Sequence, residues 1–147
     1  MTRLSRTAIA AGAAALATAG VLATTGSAQS PQGTTLHLVS KSQKGVGFFP
    51  SGRPHQGQHV GFGDTISGDD TGYDRAACTI VGQSLLCNVQ VQLSKGTLSA
   101  QGIVPERANN TPMAIIGGTG AYDGARGTAL VTDHANSTDI TVTLRAA

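Results

Sequence analysis

The stretch GGTGAYDGARG, Gly117 to Gly127, follows the apolar run Met113-Ala114-Ile115-Ile116, and its reading separates two folds. In an α/β domain a glycine-rich turn behind a strand cradles phosphate at a helix N-terminus, whereas in an all-β chain it simply joins strands. The spacing excludes the first. After Gly118 and Gly120 the third glycine of a dinucleotide fingerprint falls on Asp123, an anion where pyrophosphate would sit, and no glycine here has the partners of a P-loop. The residues that follow, Thr128-Ala129-Leu130-Val131-Thr132, are strand-like, and 20 residues after Gly127 are too few for the rest of a nucleotide domain.

A second stretch supplies the register. Cys78 and Cys87 flank TIVGQSLL, and a two-residue turn at Gly82-Gln83 pairs 81 with 84, 80 with 85, 79 with 86 and 78 with 87. The two cysteines then fall on a non-hydrogen-bonded pair, whose close Cα approach suits a disulfide. The alternative is a free, reactive thiol at Cys78. Extending the register puts Leu85, Cys87, Val89, Val91 and Leu93 on one face with Ile80, Cys78, Ala76 and Asp74, and Asn88, Gln90 and Gln92 on the other. Asp74 is the polar exception in an apolar set. Inside a barrel its ionised form is disfavoured and it becomes a general acid; at the strand's entrance it is a solvated rim residue.

Outward from these two points, period-2 alternation recurs between glycine-rich turns, and no sustained helical stripe occurs. Strands are expected near Thr34–Ser42, His59–Ser67, Tyr73–Val81, Leu85–Leu93, Thr97–Val104, Pro112–Ile116, Arg126–His134 and Asp139–Arg145. Eight strands with short links imply an all-β, eight-stranded antiparallel closed barrel, since closure removes exposed edges. The link Gly45–Gln58 reads as a loop whose apolar tip, Phe48-Phe49, folds over an opening or a neighbouring subunit.

The N-terminus carries Arg3 and Arg6, an uncharged Ala-, Leu- and Val-rich run, and the small-residue exit Gly26-Ser27-Ala28. Residues 1–28 therefore read as a secretory signal peptide cleaved after Ala28, and 29–147 as one barrel domain that is free of the membrane after cleavage. Removing the leader leaves eight basic and eight acidic side chains, with no concentrated basic patch for nucleic acid. With no Trp, three Phe and two Tyr, the core must be mainly aliphatic. Other signals are weak. His55 and His59 lie four apart beside Pro54 and Gly57, which argues against a helical zinc pair, so neither a metal nor a cofactor is expected. No G-x-S-x-G supports a hydrolase. The sequons Asn109-Asn110-Thr111 and Asn136-Ser137-Thr138 match residue types common in turns.

Four blocks in order, Gly63-Asp64, GYDRAAC (Gly72–Cys78), KGTLSAQG (Lys95–Gly102) and AIIGGTGAYDGARGTALV (Ala114–Val131), resemble the allene oxide cyclase and dirigent barrel proteins. The last block is the most specific, being similar to the dirigent form in which GGTG is followed by an aromatic and then Ala-Arg-Gly. The resemblance implies a calycin-like closed barrel with an apolar cavity, often trimeric. With the leader, it implies a secreted barrel that binds a small apolar or phenolic molecule and steers its cyclisation or coupling; the alternative is a non-enzymatic extracellular barrel that keeps the fold for structure or binding. Under the resemblance, Gly117, Gly118, Gly120, Gly124 and Gly127 form a strand crossover that uses positive φ, and Tyr122 closes one end. Asp74 and Arg126 become the catalytic candidates, and Asp64, Asp74, Tyr122 and Arg126 the ligand-binding set. Arg126 projects either into the cavity or onto the outer surface. The first strand, Thr34 to Lys41, contains no carboxylate, the group that the cyclases use there.

Overall fold

The computed structural model describes residues 33–48, 51 and 54–145; the expected leader at 1–28 and Phe49 lie outside them. Eight strands follow in chain order: β1 (Thr35–Phe48), β2 (His59–Gly68), β3 (Gly72–Val81), β4 (Ser84–Leu93), β5 (Gly96–Pro105), β6 (Asn110–Gly120), β7 (Gly127–Asp133) and β8 (Thr138–Leu144). Each pairs antiparallel with the next, and β8 returns to β1, so the sheet closes into a barrel.

The β3–β4 hairpin has the register that the turn residues dictate, with Val81 opposite Ser84 and Cys78 opposite Cys87. Cys78 and Cys87 form a disulfide with Cα atoms 4.1 Å apart, so the free-thiol alternative is excluded. Its sulfurs face the interior, where both cysteines are buried along with Ala76 and Leu93. Alternation then carries round the barrel, placing Leu38, Ile66, Leu98, Ala100, Met113, Ile115, Ala129, Val142 and Leu144 in a mainly aliphatic core.

Two strands are longer than expected by several residues. β1 continues beyond Ser42 through an irregularity after which Gly47 and Phe48 pair with Phe62 and Gly61. The glycines that read as a loop instead let a strand bend and resume. Phe48 is 63% exposed on that strand. β6 runs through Gly117, Gly118 and Thr119 to Gly120, which pair with Ser99, Leu98, Thr97 and Gly96. The crossover is therefore only Ala121–Arg126, and positive φ falls at Gly120 (62°) and Gly124 (68°), not at Gly118. Gly118 and Gly127 are required for a different reason. A Cβ on Gly118 would run into the Tyr122 and Thr97 carbonyl oxygens, and one on Gly127 into that of Thr143. Gly117 is under no such constraint, its nearest neighbour being the Arg126 guanidinium at 3.9 Å.

An antiparallel meander puts the turns that follow even-numbered strands at one end and those that follow odd-numbered strands at the other. The first end is closed. There the Tyr122 hydroxyl donates to Asp70 Oδ2 at 3.0 Å, and Asp70 Oδ1 accepts from the Ser94 and Thr71 amides and the Ser94 hydroxyl. This ties together the β2–β3, β4–β5 and β6–β7 turns.

Candidate functional site

Among the described residues, the second end of the barrel is open. A mouth of about 830 Å³, lined chiefly by Val60, Ile80, Leu85, Val104 and Pro105 with His55, Glu106 and Asp133 among its polar residues, leads inward. Val104 and Asp133 also border a deeper cavity of about 160 Å³, so the two spaces are adjacent. Phe62, Ala76, Cys87, Val89, Met113 and Ile140 make the deeper walls apolar, and Asp64, Asp74, Asp133, Ser40 and Thr138 supply its polar groups. A third, polar groove of about 460 Å³ between β1 and the β7–β8 turn shares Ser40, Asp64 and Thr138 with that cavity.

Asp74 sits in the interior, not at the rim. It lies on β3 two residues before Ala76, in the same inward row, and is 5% exposed. Its Oδ1 accepts the Asp64 backbone N–H at 3.0 Å. Asp64 Oδ2 in turn accepts the Ser40 hydroxyl at 2.7 Å. Burial, reinforced by the negative charge of Asp64, pushes the Asp74 carboxyl up to about 6, against the lowering effect of the Asp64 amide and Arg75. The site thus holds a carboxyl poised between its two protonation states near neutral pH, at the inner end of an apolar entrance.

The other two candidates lie elsewhere. Tyr122 is buried at the closed end, where burial and its bond to Asp70 push its hydroxyl up to about 12. Asp70 is held down to about 2, chiefly by the Ser94 hydroxyl, against the opposing effect of burial. Tyr122 therefore closes the barrel and does not line the cavity. Arg126 is exposed, its guanidinium donating to the Ala125 carbonyl oxygen at 2.8 Å. Period 2 explains this, because Ala129 and Val131 take the inner face of β7 and leave Arg126 in the row with Thr128 and Leu130. Of the four expected ligand contacts, the structure brings Asp64 and Asp74 together and sets Tyr122 and Arg126 apart.

Sequence reasoning passed over Ser40, Asp133 and Asp70. Ser40 continues the inward row Leu36-Leu38, so alternation alone marks it, and Asp133 extends the row Ala129-Val131 in the same way. No local signal marks Asp70, whose partners are 24 and 52 residues away. Among the described residues, no three or more His, Cys, Asp or Glu side chains converge as a metal would require.

This eight-stranded closed barrel is the fold shared by dirigent proteins and a pyocyanin demethylase. The pyocyanin demethylase superposes with a TM-score of 0.64 at 26% identity, over 76% of this chain and 99% of its own. Two pterocarpan synthase dirigent proteins, PsPTS1 and GePTS1, superpose with TM-scores of 0.63 at 21% and 17% identity. The matches cover 81% and 95% of this chain and 99% and 100% of theirs. At sequence level no protein-family model and no curated protein matches.

Proposed function

We propose that this chain is an exported dirigent-type barrel that takes a small apolar or phenolic molecule through its mouth and holds it against Asp74, steering its cyclisation or coupling. One observation carries the reading: an apolar entrance ends on a buried carboxyl raised to about 6. Such a group can give a proton to a developing oxyanion, or take one from a hydroxyl, near neutral pH. The aliphatic walls restrict the ligand to few conformers, and restraint of that kind is itself a large part of guiding a ring closure. The fold that it shares with pterocarpan synthase dirigent proteins supports the reading.

Export is supported by the leader-like residues 1–28 and by the Cys78–Cys87 disulfide, a bond compatible with an extracellular protein. Native mass spectrometry of the protein from its own producer tests the whole reading. The expected species starts at residue 29, retains the disulfide and carries a small-molecule mass that dissociates on activation. A bare polypeptide, with no mass gained on incubation with extract of the producer, would overturn it.

A further inference from the structure

Among the described residues, the acidic groups around the cavity come from several strands and Lys or Arg from none. Asp64 from β2, Asp74 from β3 and Asp133 from β7 line its walls, and Glu106 joins Asp133 at the mouth. Among the described residues no Lys or Arg lines either space, and the one basic side chain there is His55, at the mouth. The nearby cations are directed elsewhere. Arg75 lies on the outer face with its guanidinium on the Asp74 main-chain carbonyl and over the Tyr73 ring. Lys41 and His134 border the polar groove outside Asp64, and His134 is paired with Asp139 at 2.9 Å.

An anion entering this space would meet three carboxylates with no compensating donor of positive charge, at a cost that low surrounding polarity makes large. A cation would meet the reverse. Phe62 adds an aromatic face to the same wall, and such a face attracts positive charge as well as apolar surface. A metal ion does not fit, because among the described residues no three His, Cys, Asp or Glu side chains converge. The apolar mouth requires a hydrophobic body behind the charge.

We propose that the ligand is an organic cation: a small apolar body bearing a protonated amine or positively charged nitrogen heterocycle, its nitrogen seated between Asp64 and Asp74. This rests on the ligand-binding reading above and narrows it, excluding fatty-acid carboxylates. Cation and proton then compete for Asp74, so binding strengthens as pH rises through the range where Asp74 ionises.

Calorimetry on the oxidised, purified protein with three probes of one shape tests it: 1-naphthylmethylamine (an ammonium at pH 7.5), 1-naphthalenemethanol and 1-naphthoate. The ammonium should bind about tenfold more tightly than the alcohol, as a hydrogen bond to a charged group implies, and the naphthoate most weakly. Between pH 5 and 7.5 the ammonium should gain affinity and the alcohol should not. Asp74→Asn should erase most of the ammonium's advantage. If that variant does not fold, the ranking and pH response of the unmodified protein still decide. Naphthoate binding as tightly as the ammonium overturns the proposal. Alcohol and ammonium binding equally overturns it too, while leaving the ligand-binding reading standing. Failure of all three to bind counts against both.

Discussion

Replacing Asp74 by Asn tests the placement of the buried carboxyl through stability alone, without knowledge of the ligand. Asn keeps the volume and an oxygen to accept the Asp64 N–H, but removes the titration. In the folded chain the carboxyl is raised from 3.8 to about 6, so the native state binds this proton more tightly than the unfolded chain does. Its contribution is therefore fully present below about pH 4 and is lost as pH rises through about 6. A displacement of about 2 pH units at ~1.4 kcal/mol each sets a ceiling of ~3 kcal/mol. Water in the adjoining groove and coupling to Asp64 reduce it, so ~1–3 kcal/mol is expected. Urea unfolding at fixed protein concentration from pH 4 to 8 measures the effect. The wild type should fall relative to Asp74→Asn by that amount between pH 4 and 7, with no further divergence at pH 8. Asp70 does not confuse the comparison, because it is lowered to about 2, titrates in both proteins and acts in the opposite sense below pH 4. Parallel curves for the two proteins would refute the reasoning and return Asp74 to a solvated position.

Reduction of the Cys78–Cys87 bond should lower the melting temperature, since an eight-residue loop is released in the unfolded chain, a change worth ~2–3 kcal/mol; quantitative alkylation of both cysteines in native, unreduced protein would contradict the bond. Gly118→Val should abolish soluble expression, because its Cβ meets the Tyr122 and Thr97 carbonyl oxygens, whereas Gly117→Ala should melt within a few degrees of wild type. Equal behaviour of the two would remove the close-approach argument. The resemblance to trimeric barrels and the exposed Leu86, Ile103 and Leu130 on the outer wall lead to an expected homotrimer in sedimentation, and a monomer at every micromolar concentration would count against it.

What the sequence revealed and what it hid divide along a physical line. Alternation is a local property with a fixed period, so the Cys78–Cys87 hairpin sufficed to put nine side chains on one face, Asp74 among them, but not to decide whether Asp74 lies inside the barrel or at its rim. The same rule left Arg126 undecided until the inner row of β7 was known, because it lies in the crossover just before that strand. Glycine-rich segments misled in a consistent direction. Gly45 to Phe48 and Gly117 to Gly120 read as loops because glycine weakens a strand, yet in the barrel their missing side chains let the backbone bend or pass close to a neighbour.

The closed end was the least legible part, and it is what gives the cavity its direction. Asp70, Ser94 and Tyr122 come from three turns far apart in the chain, and only closure of the sheet brings them within bonding distance. Because Asp70 takes four donors there, that end is tied shut, while the odd-numbered turns leave the other end as a mouth. A ligand therefore has one wide apolar route, and its leading group meets Asp64 and Asp74 on the way in. The polarity of the barrel, closed by Asp70 on the β2–β3 turn and open towards Asp64 and Asp74 on β2 and β3, follows from where along the chain the carboxylates fall. The chemistry at the inner end is accordingly set by the charge that those carboxylates accept.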